Sequence, residues 1–349
     1  MDAFFMNRAY RSLLLLCLAA MLFTTSCHKS GYNSPAVTSA DSDETRLNQL
    51  FSGLRSTPQH IAVTAGFSQT VYAGNGTKLT FYPNSFKDNS GNVIRKGIIN
   101  IQLTEIYTIG DMIANRAATA TTDGRLLTSV GQILITATMN GEEVFANKYG
   151  VGFHATPSQQ PMLLFYGNAN TPDSVVSWST PGTPQPGAFA AGTVSNSDTG
   201  IVVVITSSGP DTITTHTVIM TYYQFDSCAS FGWINCDYFY GSSAQLTDVR
   251  VMMPDTSFNQ SNTEVFIVFP TINAAAHMSQ YDASTHTFDL PKGYYIPVGM
   301  PVDIVVATNK NGSYYYYGDT GVNTTDNMFI YAELSAASLD YIKTQLSNL

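Results

Sequence analysis

Few residues in this sequence stand at spacings that do chemistry. The six histidines are His28, His60, His154, His216, His277 and His286, and none belongs to a His-Glu-x-x-His pattern, which would put two imidazoles on one helical face. His277, Asp282 and His286 flank what reads as a turn, where a cation would be gripped across a hairpin; the competing reading is polar residues facing solvent in a loop. A serine nucleophile wants the Gly-x-Ser-x-Gly elbow that lifts its hydroxyl onto a strand-to-helix turn, and the chain has none. Glycoside hydrolysis needs two carboxyl groups about 5–9 Å apart. Glu142, Glu143, Glu264 and Glu333 are the acids on offer, and spacing alone does not pair them. Asp88-Asn89-Ser90-Gly91-Asn92 has the ingredients of a calcium loop but lacks the repeated Asp and the twelfth-position Glu, so it reads as a hairpin turn. The expectation is therefore no metal, no cofactor and no catalytic residue.

Four cysteines occur. Cys17 lies inside an apolar run and Cys27 follows it, which leaves Cys228 and Cys236 to pair. In an oxidising compartment the two would close a small loop contributing about 2.5 kcal/mol. The alternative is two buried free thiols; a zinc or redox pair would want Cys-x-x-Cys spacing or a nearby His.

Arg8 and Arg11 precede Leu13–Phe23, a hydrocarbon stretch too short to span a bilayer, which takes about 20 apolar residues, and suited to a signal-peptide core. Thr24-Thr25-Ser26-Cys27 follows. This ending resembles the lipobox of bacterial lipoproteins, with Thr24 where Leu is usual. The resemblance implies removal of residues 1–26, acylation of Cys27 by palmitate-like chains, and attachment to a lipid bilayer through them. The alternatives are an ordinary secretory signal that leaves Cys27 a stray thiol, and an uncleaved anchor. Each buried CH₂ contributes about 0.8 kcal/mol, so two or more chains hold stably. Residues 27–57 read as a tether followed by a short helix. His28 to Asp43 is rich in Ser, Thr, Gly, Asn and Pro, and Leu47, Leu50, Phe51 and Leu54 then fall at helical spacing behind a Ser42 or Asp43 cap. The first acid after Cys27 is Asp41, whereas surface-exported lipoproteins of the Bacteroidota carry acids next to the cysteine. That favours the periplasmic face of the outer membrane over the cell surface.

The chain is rich in aromatics, with 20 Tyr and 19 Phe. Tyr314-Tyr315-Tyr316-Tyr317 on a strand must send two rings to each face. They form either a ligand surface for a sugar or protein partner or a cross-strand packed row. Ser174 and Thr212 sit in Asp-Ser/Thr-apolar triplets of the kind that Bacteroidota O-glycosylate.

The elements around these residues are strands. With 44% hydrophobic and 12% charged residues in 349, the chain is too apolar for disorder and long enough for roughly two domains. Lys and Arg number 16 against 25 Asp and Glu, with no basic run beyond Arg95-Lys96, so nucleic acid is excluded as a partner. From Pro58 onward alternation and Asn/Gly turns recur, as at Leu79-Thr80-Phe81, Ile99–Leu103 and Asn140-Gly141. The expected fold is all-β: tandem antiparallel β-sandwich domains with a short N-terminal helix and a C-terminal helix. The expected division is a β-sandwich module at 58–156, a β-rich middle segment with a Pro/Gly/Ser-rich loop at 157–236, and a C-terminal sandwich with its terminal helix at 237–349. Ser335 is the expected cap of that helix.

Gly76–Phe86, Asp88–Val93 and Gly97–Glu105 resemble the β-sandwich module of ankyrins and netrin receptors, in which a strand, a Pro-x-x-Phe turn, a Gly-rich hairpin and a strand ending in Glu follow one another. The resemblance implies contact-making without catalysis. Tyr107–Ile113, Gly124–Gly131 and Gly232–Phe239 are similar to segments of envelope lipoproteins of the Bacteroidota, with Tyr238 where the usual form has Arg; this resemblance implies no activity. The functional expectation is a non-enzymatic, membrane-anchored envelope lipoprotein that binds or scaffolds a protein or glycan partner. The alternative is a carbohydrate-active enzyme whose carboxylate pair is hidden by the fold.

Overall fold

The computed structural model describes residues 41–154, 162–169, 173–179, 193–203 and 215–349. Cys27 and Thr212 lie outside them. The protein is all-β, and its described residues build two sandwiches and three α-helices. The first sandwich pairs a seven-stranded and a five-stranded sheet. The larger has the order β1 (Gln59–Thr64), β5 (Ile98–Ile106), β6 (Leu127–Met139), β14 (Gly232–Phe239), β10 (Leu163–Asn168), β11 (Ser177–Trp178), with β7 (Glu142–Glu143) folded back on β6. The smaller runs β12 (Thr193–Val203), β13 (Thr215–Cys228), β9 (Tyr149–His154), β3 (Lys78–Phe81), β2 (Gln69–Tyr72). A short pair, β4 (Phe86–Lys87) with β8 (Phe145–Ala146), accompanies it.

Alternation explains this sandwich. Ile99, Ile101 and Leu103 of β5 are fully buried while Ile98, Asn100 and Gln102 face outward, and Leu79, Phe81, Val151 and Phe153 meet them from the other sheet. Phe86 closes one end against Phe81, with ring centroids 5.0 Å apart. Glu105 ends β5 and accepts hydrogen bonds from Asn75 N at 2.7 Å, Thr77 N at 2.8 Å and Gln59 Nε2 at 2.6 Å, so its carboxylate clamps the β2–β3 hairpin. Strands from residues 58–156 and 157–236 interleave in both sheets, and β14 continues to Phe239, so one body extends across those boundaries.

The second sandwich stacks two sheets. One is β19 (Gln280–Asp282), β20 (Thr287–Asp289), β16 (Val249–Met252), β24 (Met328–Tyr331); the other is β18 (Ala274–His277), β17 (Thr263–Phe269), β22 (Pro301–Lys310), β23 (Ser313–Asn323), β25 (Ser335–Ala337). A two-strand ladder, β15 (Leu246–Thr247) with β21 (Ile296–Pro297), lies beside them. The pairs are antiparallel except β16 with β24, which run parallel, with β17, β18, β22 and β23 of the other sheet threaded between them.

The second sheet is covered on both faces, which is why β17 reads as an unbroken apolar run. Val265, Ile267 and Phe269 enter the sandwich core, and Phe266 and Val268 meet a layer of helices. That layer contains α1 (Asp43–Leu54), α2 (Ile109–Ala114) and α3 (Leu339–Ser347). α1 is capped by Ser42, whose Oγ accepts from Thr45 N at 3.1 Å, and buries Leu47, Leu50, Phe51 and Leu54. Ser338, not Ser335, caps α3, because Ser335–Ala337 is drawn into the sheet beside Tyr314–Tyr316. Gly110 lets α2 approach α3: a Cβ there would stand 2.1 Å from the Leu346 carbonyl oxygen. Residues 42–349 form one compact unit. No helix among the described residues is long and apolar enough to cross a membrane.

Candidate functional site

Two arrangements stand out, a charge cluster at the junction of the sandwiches and an aromatic face on the second. Arg116 follows α2 with φ +52°, the left-handed position where helices commonly end on Gly. Its side chain is buried. Nε lies 2.8 Å from Glu264 Oε1 on β17, Nη1 donates to Asn48 Oδ1 at 2.6 Å and to the Asp173 carbonyl at 2.5 Å, and the guanidinium covers the Phe51 ring at 4.2 Å. Asp173 also holds Arg55, Nη1 to Oδ1 at 3.0 Å. Glu264 Oε2 stands 3.3 Å from His277 Nε2 but out of hydrogen-bond alignment, so that oxygen has no donor. Burial pushes His277 below its ordinary pKa, with Arg116 adding to the effect and Glu264 opposing it, so the imidazole is neutral near pH 7. A cavity of about 480 Å³ opens beside Arg116, Glu264 and Ser174, and one of about 310 Å³ beside His277 and Val175. The cluster joins α1, the α2 terminus, the 173–175 segment and β17, the work of an internal clasp.

The second arrangement is on the outer face of the β19-β20-β16-β24 sheet. Alternation along β24 buries Met328 and Ile330 and turns Phe329 and Tyr331 outward, 40% and 62% exposed. Their centroids are 5.0 Å apart with planes at 62°. Beside them on β16 stand Arg250 and Met252, and Arg250 Nε is 3.7 Å from Asp289 Oδ1 on β20.

A third polar group is wholly internal. Asp237 and Asn235 on β14 are 0% exposed, with Asn235 Nδ2 donating to Asp237 Oδ2 at 2.5 Å and Ser129 Oγ to Asn235 Oδ1 at 3.2 Å. Asp237 Oδ1 and both amide atoms of the neighbouring Gln132 have no hydrogen-bond partner among the described residues. Burial pushes the Asp237 carboxyl well above the usual carboxylate range, against hydrogen bonds from Ser129 and Asn235.

The residues singled out from sequence are dispersed. His277 turns to Glu264, His286 Nδ1 meets the Tyr281 hydroxyl at 3.0 Å, and Asp282 Oδ1 accepts from Ser284 N at 2.8 Å, so the turn gathers no shared ligand set. No cluster of three metal-ligating side chains occurs among the described residues. Glu142, Glu143 and Glu333 are exposed, whereas Glu264 is held by Arg116. Cys228 ends β13 in one sheet and Cys236 lies in β14 of the other, both buried in the first core as free thiols. Burial pushes the Cys228 thiol up to about 12 and Cys236 well above its ordinary value, so neither is poised as a thiolate. None of Tyr314, Tyr315, Tyr316 and Tyr317 is exposed. Tyr314 and Tyr316 meet the helices, Tyr316 with Tyr341 at 6.0 Å, while Tyr315 and Tyr317 meet the sandwich core, Tyr315 with Phe258 at 5.2 Å. The row packs instead of being displayed. Ser174 is half-buried at the Arg116 cavity.

Sequence reading passed over Phe329 and Tyr331, whose only signal is the alternation Met-Phe-Ile-Tyr, and Arg116, whose partners are remote in the chain. No family model, curated protein or solved structure matches this chain.

Proposed function

We propose that the protein is a non-enzymatic, acyl-anchored envelope lipoprotein that binds a partner through the outer face of the β19-β20-β16-β24 sheet. The observation that carries the reading is the pair Phe329 and Tyr331, two large rings held in solvent by a strand whose other face is in the core. Burying either ring inside the protein would have gained about 1.5–3 kcal/mol. The most apolar feature of that face is thus left free for something outside the chain. The buried charges fit the same reading, since Arg116 and Glu264 form an internal pair that ties β17 to the α2 terminus. Acylation of Cys27 would set the folded body at the periplasmic side of the outer membrane, on the tether that precedes α1.

The test uses the chain lacking its signal peptide, with Cys27→Ser so that acyl chains do not contribute. It is mixed with isolated envelope material from cells that lack the protein. The wild-type face predicts co-sedimentation that Phe329→Ala/Tyr331→Ala reduces at least tenfold in apparent affinity, with the thermal midpoint unchanged. Equal co-sedimentation of the two chains would remove the reading. Retention of full-length Cys27→Ser/Phe329→Ala/Tyr331→Ala in the membrane fraction, where neither acyl chains nor the binding face contribute, would remove the anchor.

A further inference from the structure

We infer that the outer face of the β19-β20-β16-β24 sheet is a carbohydrate site that takes a short run of pyranose rings; this rests on the binding face proposed above and names its ligand. The strand register lays the face out as two cross-strand rows. Gln280, Asp289, Arg250 and Phe329 are successive partners in the first, and Asp282, Thr287, Met252 and Tyr331 in the second, where Thr287 is buried beneath its neighbours. Each row runs from hydrogen-bonding groups to an aromatic ring. Four strands at about 4.8 Å spacing make the face about 14 Å wide, room for an oligosaccharide rather than a single sugar.

A sugar ring has an apolar C–H face and a rim of hydroxyls that both donate and accept. The aromatic end offers flat π surface for the C–H face. The polar end offers matching groups: guanidinium N–H donors from Arg250, carboxylate acceptors from Asp289, and the Gln280 amide, which does both, while Asp282 is engaged by Ser284 in its own turn. Arg250 and Asp289 are 47% and 34% exposed and 3.7 Å apart, so their pairing contributes little to folding and leaves their hydrogen-bonding capacity turned outward. A protein partner fits this surface less well. A stable protein interface buries about 800 Å² on each side around a continuous apolar centre, whereas here the apolar centre is two rings and Met252 within a polar frame. The 62° between the ring planes adds a preference, because two stacked sugars must present their faces at an angle. A chain that turns between residues meets both rings, and a flat ribbon meets one.

The occupant is tested on the co-sedimentation described above, with envelope material treated beforehand in one of two ways. Periodate cleaves the vicinal diols of sugars, and a broad protease removes protein. A carbohydrate occupant predicts at least a tenfold loss of binding after periodate and none after protease. It also predicts that Arg250→Gln, which leaves the rings in place, weakens binding by about tenfold. Loss after protease alone, or after neither treatment, would overturn the carbohydrate assignment while leaving the binding face intact. Binding insensitive to Phe329→Ala/Tyr331→Ala would instead remove the face itself, which separates the two failures.

Discussion

Asp237→Asn changes how the stability of this protein responds to pH. The wild-type carboxyl is 0% exposed, takes a hydrogen bond from Asn235 on Oδ2, and has no partner for Oδ1 among the described residues, so burial holds it protonated well above the usual carboxylate range. In the unfolded chain the same group has a pKa of about 3.9. Below that value it is protonated in both states and its full contribution to stability is present. As the pH rises above it, the unfolded chain releases the proton and the folded chain keeps it. The wild type then loses about 1.4 kcal/mol of stability per pH unit from this group until the folded pKa is passed. Asparagine cannot ionise and removes that slope. Its oxygen can still accept from Asn235, and its NH₂ occupies the place of the unpartnered oxygen, which adds a constant cost independent of pH. The assay is urea denaturation of both chains at pH 4.5, 5.5 and 6.5. The difference between them is expected to shift in favour of Asp237→Asn as the pH rises through the series. A difference that stays constant over the series would show that the carboxyl titrates alike in both states and would refute the reasoning.

Other perturbations probe the clasp and the thiols. Arg116→Met leaves the Glu264 carboxylate, 11% exposed, without its cation and is expected to cost about 3–5 kcal/mol by denaturant unfolding; adding Glu264→Gln should restore part of that loss, and a single-variant cost below about 1 kcal/mol would contradict the clasp. Cys228 and Cys236 should resist an alkylating reagent at pH 8 in the folded protein, and both should react on unfolding without reductant, as read by peptide mass mapping. Failure of either to react in the unfolded chain would show that they are joined.

The alternation of apolar residues made the strands legible, because it depends on neighbours only two positions apart. Ile99, Ile101 and Leu103 declare the buried side of β5 without reference to any other strand. The same logic stopped at Tyr314–Tyr317 and Met328–Tyr331. Alternation says that rings go to both faces, but which face is covered depends on where the helices settle. α1 comes from the start of the folded unit and α3 from its end, and the helix layer they build covers Tyr314 and Tyr316 of β23, whereas Phe329 and Tyr331 of β24 stay exposed among the described residues. Arg116 was illegible for a related reason: it sits at a left-handed helix end where Gly would be expected, and it meets Asn48, Asp173 and Glu264, none of them near it in sequence. The division at residues 156 and 236 followed composition, whereas the sheets of the first sandwich draw strands from both sides of 156 and β14 runs across 236. Ser335 is the expected cap for α3, but the ladder with β23 claims it and Ser338 takes that place.

The most direct measurement of the central claim is hydroxyl-radical footprinting of the chain bound to envelope material, with side-chain oxidation compared with that of the free chain. Phe329 and Tyr331 on the proposed face, and Phe67 and Tyr295 elsewhere, are all well exposed, at 40%, 62%, 65% and 52%. The account predicts that binding protects Phe329 and Tyr331 and leaves Phe67 and Tyr295 oxidised as before. Protection of Phe67 or Tyr295 with Phe329 and Tyr331 still oxidised would place the contact on another surface and contradict it.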